Sequence, residues 1–205
     1  MSTEAIPVRA APPVTDEVPR ISQGMLAMLL FIGSEVMLFA ALFAAYFFAR
    51  FNIADNVWPP VDPATGEPFE LPILMTAVNT AFLVFSSFTV WWAEHRLMHG
   101  DRRGMIRGLW VTIMLGATFL IIQINEYAHL SFSPQDQAFG STFYVLTGAH
   151  GLHVFVGLSL LTVMLIRAYR GDFSPSFATP LTAASAYWHF VDVVWVLLFI
   201  LVYLL

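Results

Sequence analysis

Five long apolar stretches, separated by shorter polar segments containing Pro or Gly, dominate the pattern of this chain. A membrane-spanning helix needs about 20 mostly apolar residues, because the hydrocarbon core is roughly 30 Å thick and each residue rises about 1.5 Å. Stretches of that kind fall at residues 25–49, 71–92, 109–130, 141–166 and 183–205. The runs are continuous rather than alternating, which points to helices and away from a β-barrel. The pattern predicts an all-α, polytopic membrane bundle of five transmembrane helices over residues 25–205. Residues 1–24 lack an apolar run and carry Pro-rich patches. They read as a flexible cytoplasmic N-terminal tail, not a signal peptide. No internal repeat is visible, and five spans do not divide into the equal inverted halves of many transporters.

Composition strengthens this picture. Hydrophobic residues make up 58% of the chain and charged residues only 11%, against about 25% charged in soluble domains. The net charge of −5 offers no basic field for nucleic acid. With no Cys in the sequence, disulfides, iron–sulfur clusters and thiolate-held copper are excluded.

Charge also suggests a direction. All nine basic residues are Arg. Arg9, Arg20, Arg96, Arg102, Arg103, Arg107, Arg167 and Arg170 lie on one side of the predicted bundle, and Arg50 alone lies on the other. The positive-inside rule then puts the N-terminus in the cytoplasm and the C-terminus outside. Residues 95–107 read as a solvated loop whose Arg96, Arg102, Arg103 and Arg107 meet the cytoplasm or lipid headgroups. Trp58, Trp91 and Trp92 read as interface anchors.

Six ionisable residues fall inside or at the rim of the spans: Glu35, Glu126, His150, His153, His189 and Asp192. Such groups are costly in hydrocarbon and should face protein or water. Glu35 sits near the middle of the first span and His153 near the middle of the fourth, with His150 one turn nearer the outside, so Glu35 can approach this His pair. His150 and His153 have ligand-like spacing, but an interhelical hydrogen-bonding group is the more ordinary use of such a pair. Glu126 lies near the outer end of the third span, where it is either a solvated end residue or a working one. His189 and Asp192, three apart, read as a structural pair.

More specific signals come from ordered motifs: Gly33-Ser34-Glu35-Val36, Ala45-Tyr46-Phe47, Trp58-Pro59-Pro60, His99-Gly100-Asp101-Arg102-Arg103 and Asn125-Glu126-Tyr127. They continue with Gly140-Ser141-Thr142-Phe143, the run from Thr147 through His150 and His153 to Val154, and the run from Tyr187 through His189 and Asp192 to Trp195. Together, from about Gly24 to the C-terminus, this set resembles subunit III of the haem–copper oxidases.

The resemblance implies a redox-silent helical bundle beside the catalytic subunit I and the electron-entry subunit II, in the cell inner (plasma) membrane. Haems and copper would sit in those partners, with no catalytic residue, metal or cofactor in this chain. Membrane lipids, including a held phospholipid, would be its other contacts. Glu35 matches the buried Glu that reacts with hydrophobic carbodiimides in the family, and the other five ionisable residues fall on motif positions. Longer members have two further N-terminal helices that help form a lipid-holding cleft. Without them, lipid in that cleft depends on another subunit.

Other readings make different predictions. An accessory subunit of a quinol oxidase or nitric oxide reductase would share the bundle and differ in its co-purifying partners. A small proton channel or transporter would relay protons through Glu35 and His153 and show flux when reconstituted alone. A b-type cytochrome using His150, His153 or His189 would show a Soret band.

Overall fold

The computed structural model describes residues 22–53, 58–61, 66–69 and 71–205. The predicted tail, with Arg9 and Arg20, therefore lies largely outside the described residues. Five helices follow: α1 (Gln23–Phe48), α2 (Ile73–Met98), α3 (Arg102–Tyr127), α4 (Gln137–Arg170) and α5 (Thr179–Leu198). Wider π-type turns prolong α1 to Ile53 and α5 to Leu204. All five are long and apolar enough to cross a bilayer, and the described residues contain no strand beyond one isolated bridge, Val61 to Pro68. The chain is a multi-pass membrane protein.

One boundary needs correcting. Residues 95–107 are not a loop, because α2 runs on to Met98 and α3 starts at Arg102. Charge does not end a helix; local backbone chemistry does. Gly100 takes a left-handed φ of 72°, and the Asp101 carboxylate caps α3 by accepting from the Gly104 amide at 2.8 Å. The helices therefore extend past the apolar core and turn within three residues. Similarly, α4 has 34 residues, about 51 Å at the helical rise, so it overruns the hydrocarbon at its ends.

Packing follows this order. The α2–α3 hairpin lies against α4 and α5, and α1 packs on the other side of α4 and α5. At the centre is Trp188 of α5, fully buried. A Cβ at Gly116 of α3 would lie 2.6 Å from its ring, and one at Gly157 of α4 would lie 2.8 Å from it. These two glycines are notches that let three helices close around one indole.

The Arg-rich ends come together as expected. Arg102 donates to the Ala168 carbonyl at 2.9 Å and to that of Tyr169 at 2.7 Å. These bonds tie the start of α3 to the end of α4, while the Arg102 side chain stays exposed. Arg96 pairs with Asp101 at 3.3 Å and lies over Trp92, while Arg103 and Arg107 are exposed. Trp91 is exposed and stacks on His95. Trp58 is half-buried and donates to the Tyr46 hydroxyl at 2.9 Å, so it fastens a connection to α1.

Candidate functional site

Glu35 lies on the α1 face that meets α4, and His153 faces it from one turn past His150. His153 Nε2 is 2.8 Å from Glu35 Oε2, and both side chains are mostly buried. The other ring nitrogen settles the protonation pattern. His153 Nδ1 is 2.7 Å from the Ala149 carbonyl, which can only accept, so Nδ1 carries a hydrogen. The contact with Glu35 then holds one further proton, shared between imidazole and carboxyl, and the pair is neutral as a unit. Neutrality is what mid-membrane burial favours. Phe39 closes one side of the pair, its ring centroid 4.9 Å from that of His153.

The two histidines separate in role. His150 is fully buried, and among the described residues neither ring nitrogen has a hydrogen-bond partner. It lies against Trp195, with centroids 4.8 Å apart, and meets the Phe119 ring edge-on. The expected hydrogen-bonding pair is therefore one hydrogen-bonded His and one aromatic-packed His.

Glu126 is not a solvated end residue. It is buried and accepts from Tyr203 at 3.1 Å and from Thr76 at 3.2 Å. His189 and Asp192 share a face of α5, but no hydrogen bond or ion pair joins them among the described residues. Ser87 and His189 are the polar groups acting on Asp192, yet Asp192 Oδ1 and Ser87 Oγ each lack a close hydrogen-bond partner.

A polar seam along α2 went unpredicted. Thr76, Asn79, Thr80, Ser86 and Thr89 line the side of α2 that meets α3 and α5. Asn79 donates to the Phe119 carbonyl at 3.2 Å, and Thr89 meets Thr112 at 2.7 Å. Trp195 donates to Thr80 and Trp188 to Ser86, each at 2.9 Å. Its signal in the sequence is small hydroxyl residues recurring at helical spacing along an otherwise apolar span.

The profile of the family described as Cytochrome c oxidase subunit III matches residues 15–205. The chain belongs to the cytochrome c oxidase subunit III family. It is 42% identical over 179 residues to cytochrome c oxidase subunit 3 of Papio hamadryas, covering 86% of this chain and 67% of that protein. The Anopheles gambiae protein of the same name is 43% identical with the same coverage. That of Gadus morhua is 42% identical over 90% of this chain and 71% of its own. As a subunit III, the chain carries the Glu35–His153 pair between α4 and its most loosely embedded helix, α1, and a hydroxyl-lined seam through its centre.

Proposed function

We propose that this chain is the redox-silent subunit III of a terminal oxidase that reduces dioxygen and translocates protons. It stabilises the catalytic subunit I, with subunit II as a further partner, and supports proton uptake from the cytoplasm. In this reading haems and copper belong to the partners, the N-terminus faces the cytoplasm and the membrane is the cell's inner membrane. Relatives named for cytochrome c support that electron donor over a quinol.

The observation that carries the reading is how the interior polar groups are used. The seam fastens helices to one another, and at two points its link is an indole N–H, which donates but cannot accept. A proton relay needs both functions at each step, so this seam suits a scaffold and not a channel. Glu35 and His153 instead balance each other inside the protein.

The test is gentle removal of the subunit from the assembled oxidase. Haems and copper should remain and initial oxygen reduction should survive. Proton uptake should slow as pH rises, and turnover should then fail progressively as electrons outpace protons. Immediate loss of activity with all metals retained refutes the scaffold reading.

A further inference from the structure

At the Arg-poor end of the bundle, across the molecule from Glu35, a cavity of about 430 Å³ opens between α2 and α3. Pro72, Met75 and Ile122 line it together with Asn125, Glu126 and His129. We infer that this cavity binds a phospholipid through a primary ammonium headgroup, as in phosphatidylethanolamine.

Three observations converge on that chemistry. First, Glu126 has acceptor capacity to spare. An ionised carboxylate offers about four lone-pair sites, and among the described residues its only hydrogen-bond donors are the Tyr203 and Thr76 hydroxyls. The single Thr76 hydrogen is also claimed by the Pro72 carbonyl at 2.9 Å. Among the described residues no cationic side chain lies within ion-pair distance of Glu126, whereas Glu35, Asp101 and Asp172 each have a basic partner.

Second, the mouth presents a further acceptor. His129 Nδ1 is 2.8 Å from the Asn125 carbonyl and must donate to it. In the neutral ring Nε2 then carries a lone pair. A carboxylate and an imidazole nitrogen suit a cation with several N–H donors. A quaternary ammonium is held by cages of Trp, Tyr and Phe, and among the described residues no Trp, Tyr or Phe lines this cavity.

Third, the cavity continues as a lipid-shaped groove. Pro72 and Met75 also border an apolar strip with Ile73, Leu74 and Val78, and Leu74 is 80% exposed. The polar mouth therefore sits at the membrane-surface end of a strip that an acyl chain would cover. One molecule with an ammonium head and a hydrocarbon tail satisfies both parts.

The inference is independent of how the oxidase uses this subunit, and its test reads labelling instead of turnover. The intact complex in nanodiscs is exposed to phosphatidylethanolamine bearing a photoreactive acyl chain. Phosphatidylglycerol and phosphatidylcholine with the same chain serve as comparators. The ethanolamine lipid should label residues 73–78 about tenfold more than the glycerol lipid, the scale of one charge-assisted hydrogen bond, and several-fold more than the choline lipid. Glu126→Gln, which keeps an acceptor for Tyr203, should abolish the preference. So should His129→Phe, at an exposed position outside the core. Equal labelling by the three lipids, a preference that survives both variants, or no labelling of residues 73–78 overturns the inference.

Discussion

The first and last spans of this bundle are both strongly apolar, yet they are attached to it by different physics. Of the most apolar stretch of α1, 6% of the residues are buried inside the protein, against 50% for the stretch that begins with α5. Helix α5 is held by Trp188 and Trp195, two fully buried indoles that each donate a hydrogen bond to α2. Helix α1 presents Leu30, Met37 and Phe48 outward and is tied in mid-membrane by one ionisable pair, Glu35 with His153. Lipid is as apolar as these side chains, so hydrophobicity does not hold helices together within a bilayer. Close packing and interhelical hydrogen bonds do. The lesson is a division of labour: α5 is locked by shape, and α1 is docked by a proton-sharing contact beside an uncovered face that a partner subunit can use.

The largest effect should come from breaking the shape lock. Trp188→Ala empties a site closed by Gly116, Gly157 and Ser86, and large-to-small changes of this kind cost about 3–5 kcal/mol. Gly157→Leu attacks the same site from the other side, since even its Cβ would sit 2.8 Å from the indole. Detergent-titrated unfolding should show both variants strongly destabilised. Near-normal stability for both would mean that α5 is not held by packing around this indole.

The middle effect should come from cutting the polar tie. Glu35→Ala leaves His153 Nε2 without its partner in a largely buried setting. Interhelical hydrogen bonds in membranes average about 0.6 kcal/mol and reach about 1.7 kcal/mol, so a loss of about 1–2 kcal/mol is expected. The loss should be local, with faster amide exchange in α1 while α5 stays protected. Exchange that rises equally in both helices would erase the contrast between them.

The sequence disclosed this division only in part. Five spans were legible because their apolar runs have the length a bilayer demands. The approach of Glu35 to the His150–His153 pair was legible from similar depth in two helices. Depth alone did not say which His would be chosen, because His150 and His153 differ by about 60° around the helix and only packing decides which one faces α1. The short α2–α3 turn was hidden because charged residues read as loop, while the cap at Asp101 and the left-handed Gly100 extend both helices. The notches at Gly116 and Gly157 were invisible because a glycine within an apolar run has no periodic signature. Its meaning lies in an indole contributed by another helix. Glu126 looked peripheral for a related reason, since Thr76 lies 50 positions away in sequence and Tyr203 lies 77 away.

The smallest effect, and the one that separates docking from proton transport, should come from Glu35→Gln. His153 Nδ1 remains committed to the Ala149 carbonyl, so Nε2 of a neutral ring is an acceptor. The Gln amide can donate to it with little change in volume, and the contact survives without a shared proton. Stability should stay within about 0.5 kcal/mol of the unaltered chain, and turnover of the assembled oxidase should stay close to normal across pH. Glu35→Ala should instead show earlier decay of turnover as α1 loosens. If protons passed through Glu35, the ranking would collapse, because neither Gln nor Ala can take up and release one. Turnover followed over time and against pH for the two variants decides between these accounts: Gln as damaging as Ala, with α1 exchange still normal in the Gln form, would make Glu35 a proton carrier rather than a fastening.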